Sequence, residues 1–233
     1  MKSVPHPAAP PRRAGAARRV LIVDDHPIVR QGLRRMIDPE PDLLVCGEAQ
    51  SEREARAAIR ALDPDAVIVD ISLVQGDGLE LVRDVHAQRP DLPMLVLSMH
   101  DEAIYAGRLL AAGASGYIMK HAASEQLLIA LRRVLDGETY VSEALTNKVV
   151  PRREGEARAG AAYDPVERLS NRELQVLSLI GRGLSSREAA DMLGVSIKTV
   201  ESHRQSLKRK LNLLSNVQLL QYSINWYAGR SRA

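Results

Sequence analysis

From Arg19 to Tyr140 the chain alternates between two textures. Short aliphatic runs recur (VLIVDD, LLVCGEA, AVIVDIS, MLVLSM and GYIMK), none longer than seven residues. Each is followed by a stretch with helical spacing of its apolar positions, such as Pro27–Ile37, Glu52–Leu62 or Leu79–Gln88. Near-continuous apolar strands between amphipathic helices predict a parallel sheet covered on both faces. Five such units predict an α/β doubly wound five-stranded parallel sheet, with its functional edge at the carboxyl ends of the strands.

After Val150 the pattern changes. The stretch PRREGEARAGAAYD mixes Pro, Gly, Ala and opposing charges without apolar periodicity, and reads as a linker. From Leu169 onward the periodicity is helical only. Ser170 with Glu173 forms a capping box ahead of Leu174, Leu177 and Ile180, and Gly181 or Gly183 ends that helix. A second box, Ser185 with Glu188, opens a short helix that stops at Gly194. Ser196 caps a third helix, Ile197 to about Leu211, and the short turn LGVS before it suits a helix-turn-helix. A fourth helix runs from about Asn216 to Tyr227, and its stripe Val217, Leu220, Ile224, Tyr227 reads as core in an isolated module. The expected second unit is a small all-α four-helix domain. The start, MKSVPHPAAPPRRAGAARR, has prolines and nothing to bury, and reads as a flexible arm. The expected boundaries are 1–18 for the arm, 19–140 for the α/β domain, 141–165 for the linker and 166–233 for the helical module.

Composition agrees with two core-forming domains. The 233 residues are 45% hydrophobic and 26% charged, enough apolar surface to exclude wholesale disorder. A single cysteine excludes an internal disulfide framework and a cysteine-based zinc site; Cys46, within an apolar run, reads as a small core residue. Phenylalanine is absent, so the cores must be aliphatic. No apolar run approaches the roughly 18–20 residues that span a bilayer, and the start lacks a signal-peptide core. The expectation is a soluble cytoplasmic protein with no membrane partner.

Charge divides the chain. Residues 19–140 hold 13 basic and 20 acidic groups, net −7, whereas residues 166–233 hold 11 basic and five acidic, net +6. An acidic domain joined to a basic helical one points to a polyanion partner for the second.

The informative polar residues sit at strand ends. The first run ends in Asp24 and Asp25, the third in Asp70, the fourth in Ser98 and the fifth in Lys120. One Asp after a strand is ordinarily a turn former, but four of five strands loaded along one edge are not explained by turns. Crowded carboxylates repel one another, and a hard divalent cation such as Mg²⁺ relieves the repulsion. A lysine and a hydroxyl opposite can receive an anionic group, and an aspartate between metal and cation can act as a nucleophile. His26 either adds a ligand or starts the first helix, and the second reading is preferred. His100, two residues beyond Ser98, would tune hydrolysis at the mouth of the site.

These residues resemble the receiver domains of two-component response regulators, a flavodoxin-like fold. The similarity runs through VDDHPIVRQGL, VIVDISLVQGDGLEL, LVLSMHDE and GASGYIMK, in order. It implies Asp70 as phosphoacceptor, and Asp24, Asp25, Asp70 and the Ser72 carbonyl as ligands of Mg²⁺. It also implies Ser98 and Lys120 as contacts to the phosphoryl group, with Ser98 and Tyr117 as the switch pair. The sequence departs from many receivers at Leu73 and Val74, where Met-Pro is common.

The helical segment resembles the LuxR-type DNA-binding domain through LSNRELQVL and GLSSREAADMLGVSIKTVESHRQSLKRKL. That resemblance places groove contacts at Lys198, Thr199, Glu201, Ser202 and Gln205. Lys208 and Arg209 suit phosphate contacts, which position without reading sequence. Glu201, acidic among basic neighbours, would accept from a cytosine amino group. His203 either touches a phosphate or packs under its helix. Part of the last helix resembles the family's dimerisation helix.

The expected function is a phosphorylation-controlled DNA-binding transcriptional regulator, not an enzyme. Its expected partners are a sensor histidine kinase, double-stranded DNA, a second copy of the chain when phosphorylated, and RNA polymerase. Two rivals belong to other classes. A metal-dependent phosphohydrolase working through Asp70 lacks a substrate-sized cap insertion and an evident second acid or base. A constitutive DNA-binding protein would have no use for the intact acidic edge.

Overall fold

The computed structural model describes residues 16–73, 77–99, 102–142 and 165–231. Strands β1 (Arg18–Val23), β2 (Leu43–Ala49), β3 (Ala66–Asp70), β4 (Met94–Ser98) and β5 (Gly116–Met119) form one parallel sheet, in the order β2-β1-β3-β4-β5. β1 begins one residue before the expected domain boundary. Helices α1 (Pro27–Ile37), α2 (Glu52–Leu62), α3 (Gly78–Gln88), α4 (Glu102–Ala111) and α5 (Ala123–Leu135) connect the strands. The first two agree residue for residue with the periodicity.

The strands bury both faces because alternate residues point to opposite layers. Val20, Ile22, Ile68, Leu95 and Leu97 meet Leu33, Ile37, Leu127, Leu131 and Val134 of α1 and α5. Leu21, Val23, Val67, Val69 and Val96 meet Ala55, Ile59, Leu81, Val85 and Leu109 of α2, α3 and α4. Local chemistry sets the ends. Ser51 caps α2 through its hydroxyl, and Asp77 caps α3 by accepting from the Leu79 N–H at 2.9 Å.

The helical module comprises α6 (Asn171–Gly181), α7 (Ser186–Leu193), α8 (Ile197–Lys210) and α9 (Asn216–Ser231). Both capping boxes form, Ser170 with Glu173 and Ser185 with Glu188. Gly194 ends α7 in the left-handed region at φ 64°, and Ser196 caps α8 by accepting from the Thr199 N–H at 3.1 Å. Val200, Leu207 and Leu211 are buried, as the stripe on α8 requires.

The expectation for the last helix needs correction. Val217, Leu220 and Ile224 are not core: they are 73%, 43% and 44% exposed. α9 instead turns Leu219 and Ser223 inward, with Tyr222, Trp226 and Tyr227 half-buried beside them. Gly181 decides this orientation. A Cβ there would lie 2.5 Å from the Ser223 carbonyl oxygen and 2.8 Å from the Tyr227 Cβ, so the two helices cross at a glycine. Cys46 is also less buried than expected, lying half-buried with its thiol pKa pushed up by burial. Among the described residues no helix is long and apolar enough to cross a membrane.

Candidate functional site

Strand register brings the acidic edge together. Val23 pairs with Val69, Asp70 with Leu97 and Ser98 with Met119, so Asp24, Asp70, Ser98 and Lys120 fall along one line at the carboxyl ends. Asp24, Asp70 and Ser98 are almost wholly buried, at 2%, 1% and 0% exposure. Lys120 opens a single 3₁₀ turn just after β5 and reaches back across the edge. Its Nζ donates to Asp24 Oδ2 at 2.7 Å and to Asp70 Oδ2 at 2.8 Å. The other Asp70 oxygen accepts from the Ser72 N–H at 2.9 Å, which turns the chain sharply after β3.

Two adjacent buried carboxylates need a cation, and Lys120 supplies one. Burial raises the Asp70 carboxyl pKa, an effect that the Lys120 charge only partly offsets. Burial opposes the Lys120 charge, but Asp70 and Asp24 outweigh it and carry its pKa above the ordinary value. Gly78 completes the frame. A Cβ there would lie 2.6 Å from both the Asp70 carbonyl oxygen and the Ile71 Cα, so α3 starts directly against the end of β3.

The site suits a hard cation. One ligand atom each from Asp24, Asp25, His26 and Asp70 lies within 4.8 Å of the others, and three of the four are carboxylate oxygens. His26 stands at the N-cap of α1, as preferred, yet its Nδ1 also lies 2.9 Å from Asp25 Oδ1 and 3.2 Å from Asp24 Oδ1. Tyr117 is buried in the α2–α4 layer at 1% exposure, and Leu73 is wholly buried. His100 and Val74 lie outside the described residues.

On the helical module, Lys198, Thr199, Ser202, Gln205 and Arg209 are exposed along α8, while Lys208 is half-buried. Glu201 is engaged within the module: its Oε1 accepts from the Ser186 hydroxyl and lies 3.7 Å from Arg204 Nε. His203 is half-buried, and burial lowers its pKa, which matches packing under the helix. Behind α8, Glu173 accepts from Lys210 Nζ at 2.7 Å, the Ser206 hydroxyl at 2.6 Å and the Ser170 N–H at 2.7 Å. Burial alone would raise its pKa, but these donors hold it down at about 2.

One set of contact residues carries no mark in the local sequence pattern. The first turn of α6 docks on the segment that follows Asp70. Asn171, Arg172 and Gln175 reach Ile71, Ser72 and Leu73. Arg108 of α4 donates to the Leu169 carbonyl at 2.5 Å. A cavity of about 220 Å³ lies between the domains. Asp70, Lys120 and His26 line one side, and Arg172, Arg182 and Met192 the other. The available signal was that α6 is apolar on more than one side: Val176 and Leu179 accompany Leu174, Leu177 and Ile180, and all five are buried.

Residues 20–132 match the family described as response regulator receiver domain, and residues 167–223 the family described as bacterial regulatory proteins, luxR family. The oxygen regulatory protein NreC of Staphylococcus epidermidis is 36% identical over 210 residues, 88% of this chain and 96% of that protein. RcsB from Salmonella enterica serovar Typhimurium, solved bound to promoter rprA in the presence of the phosphomimetic BeF3-, is 29% identical. That match covers 89% of this chain and 98% of that one, with a TM-score of 0.57. A structure of two RcsB dimers bound to two parallel DNAs matches at 27% identity over the same shares, 89% and 98%, with a TM-score of 0.54. The acidic strand-end cluster, the helix-turn-helix and both family matches agree, and the chain belongs to the response regulators that join a receiver domain to a LuxR-type module, phosphorylation-controlled DNA-binding regulators of transcription.

Proposed function

We propose that Asp70 is the phosphoacceptor and that a sensor histidine kinase is its donor. The observation that carries this reading is the Lys120 ammonium bridging Asp24 and Asp70 in a buried carboxylate cluster. In the transfer, an Asp70 carboxylate oxygen forms a bond to phosphorus as the donor's P–N bond breaks. Lys120 then turns from a carboxylate partner into a phosphoryl partner, and the Ser98 hydroxyl donates to a phosphoryl oxygen. Asp24, Asp25, Asp70 and the Ser72 carbonyl would hold Mg²⁺, which when bound neutralises charge on the carboxylates and the phosphoryl oxygens. Tyr117 and Ser98 carry the change outward, biasing an equilibrium between arrangements of the two domains.

In the same reading, Lys198, Thr199, Glu201, Ser202 and Gln205 face the major groove, and Lys208 and Arg209 face phosphates. Glu201 would exchange its Ser186 partner for a base edge. The exposed stripe Val217, Leu220 and Ile224 supports a homodimer through α9, consistent with the paired RcsB chains on DNA. RNA polymerase is the downstream partner, and the cytoplasm the compartment. The chain acts as a regulator, not as a phosphohydrolase.

The test is base-labile phosphate incorporation from acetyl phosphate, with and without Mg²⁺, on the wild type and Asp70→Asn. Label that needs both the metal and Asp70 is the expected result. No label in the wild type overturns the reading, and steady turnover of phosphoesters would favour the hydrolase.

A further inference from the structure

The first turn of α6 grips three successive residues that follow the acceptor. Asn171 Nδ2 donates to the Ile71 carbonyl at 3.3 Å. Arg172 Nη2 donates to the Ser72 carbonyl at 3.3 Å and also to the Leu73 carbonyl. Gln175 Nε2 reaches the Ser72 hydroxyl at 3.5 Å, and its Oε1 accepts from Arg172 Nη1 at 3.0 Å, which fixes the guanidinium plane. A residue of the DNA-binding module thus holds the carbonyl read above as the backbone ligand of Mg²⁺.

We propose that Arg172 is a positioning residue of the phosphorylation site, competing with the divalent cation for the Ser72 carbonyl and so setting the receiver's metal affinity. The proposal rests on the metal-site reading given above. A Mg²⁺–oxygen bond is about 2.1 Å long. Added to the 3.3 Å contact of Arg172 Nη2, it would leave the metal and that nitrogen at most roughly 5.4 Å apart on one oxygen. The contact is half-buried, so two like charges there repel more than they would in bulk water. Arg172 cannot relieve it by losing a proton, because a guanidinium stays charged at every accessible pH. Metal binding and the α6 contact therefore oppose each other, and linkage makes the effect reciprocal: Mg²⁺ loosens the grip of α6, and loss of the grip tightens Mg²⁺.

The experiment is calorimetric titration of the full chain with Mg²⁺ alone, for the wild type, Arg172→Ala, Arg172→Lys and Asp25→Asn. Arg172→Ala is expected to bind Mg²⁺ about tenfold more tightly than the wild type. Arg172→Lys, which keeps the charge without the fork, falls between them. Amide exchange over residues 170–175 is expected to rise on Mg²⁺ addition in the wild type, a response that a merely structural arginine would not give. If Arg172→Ala loses native circular dichroism, Arg172→Gln replaces it, with the same direction expected. Equal Mg²⁺ affinity with and without Arg172, while Asp25→Asn abolishes binding, overturns this proposal alone. Unchanged binding in Asp25→Asn overturns the metal-site reading and the proposal together.

Discussion

Lys120 donates to Asp70 across 2.8 Å although 50 residues separate them, and the same ammonium holds Asp24 at 2.7 Å from 96 residues away. Three strand ends are tied by one side chain, and each member is costly to bury without the others. Lys120→Met is expected to destabilise the protein by about 3 kcal/mol in urea unfolding at neutral pH, because it leaves two buried carboxylates uncompensated. Adding Asp70→Asn to that variant should recover part of the loss, since one charge is removed with the cation. A double-mutant cycle measures the coupling, and additive effects would argue against the bridge.

Gly78 offers a purely steric test of the same edge. A Cβ at 2.6 Å from the Asp70 carbonyl oxygen and the Ile71 Cα has backbone on its far side, so nothing flexible can yield. Gly78→Ala should cost about 1–3 kcal/mol and slow labelling of Asp70 by shifting the end of β3. Gly107, with no atom within 4 Å of such a Cβ, is the control position and should tolerate alanine.

Glu173 gives the helical module a pH dependence of definite sign. Its folded pKa is held at about 2, below the ordinary 4.5, so its stabilisation is full above pH 4.5 and is lost as the pH falls toward 2. The fall from 4.5 to about 2 corresponds to about 3 kcal/mol. Thermal melts of the wild type over that window should decline more steeply than those of Glu173→Gln. Parallel curves would remove Glu173 as the cause.

The proposed DNA interface divides the α8 residues into two classes that binding measurements distinguish. Lys208→Ala and Arg209→Ala should weaken binding about equally on every sequence, each lowering the slope of log affinity against log salt by about 1. Gln205→Ala should instead cost about 1–3 kcal/mol on the preferred site and little elsewhere. Fluorescence anisotropy at several salt concentrations, on an operator and on random duplex, distinguishes them. A sequence-independent loss at Gln205 would move it to the phosphate class.

Much of the α/β domain was legible because its signals are local. Periodicity places α1 and α2, and the polar residues ending the apolar runs mark Asp24, Asp70, Ser98 and Lys120 as one edge without knowledge of strand register. The same holds for α8, where Val200, Leu207 and Leu211 declared the buried face. Three things stayed hidden: the docking of Asn171, Arg172 and Gln175 on residues 71–73, the engagement of Glu201 by Ser186, and the outward turn of Val217, Leu220 and Ile224. Each depends on a partner chosen through space.

The residue pattern alone determined which elements form and which chemistry lies at the strand ends, because helix and strand periods, capping and parallel topology follow from positions near in sequence. Only the tertiary structure decided how the elements meet. The crossing of α6 and α9 at Gly181 selects which side of an apolar helix turns inward. The docking of α6 places a guanidinium on carbonyls about a hundred residues away. Contacts of that range rest on shape and charge complementarity between assembled surfaces, which no local period encodes.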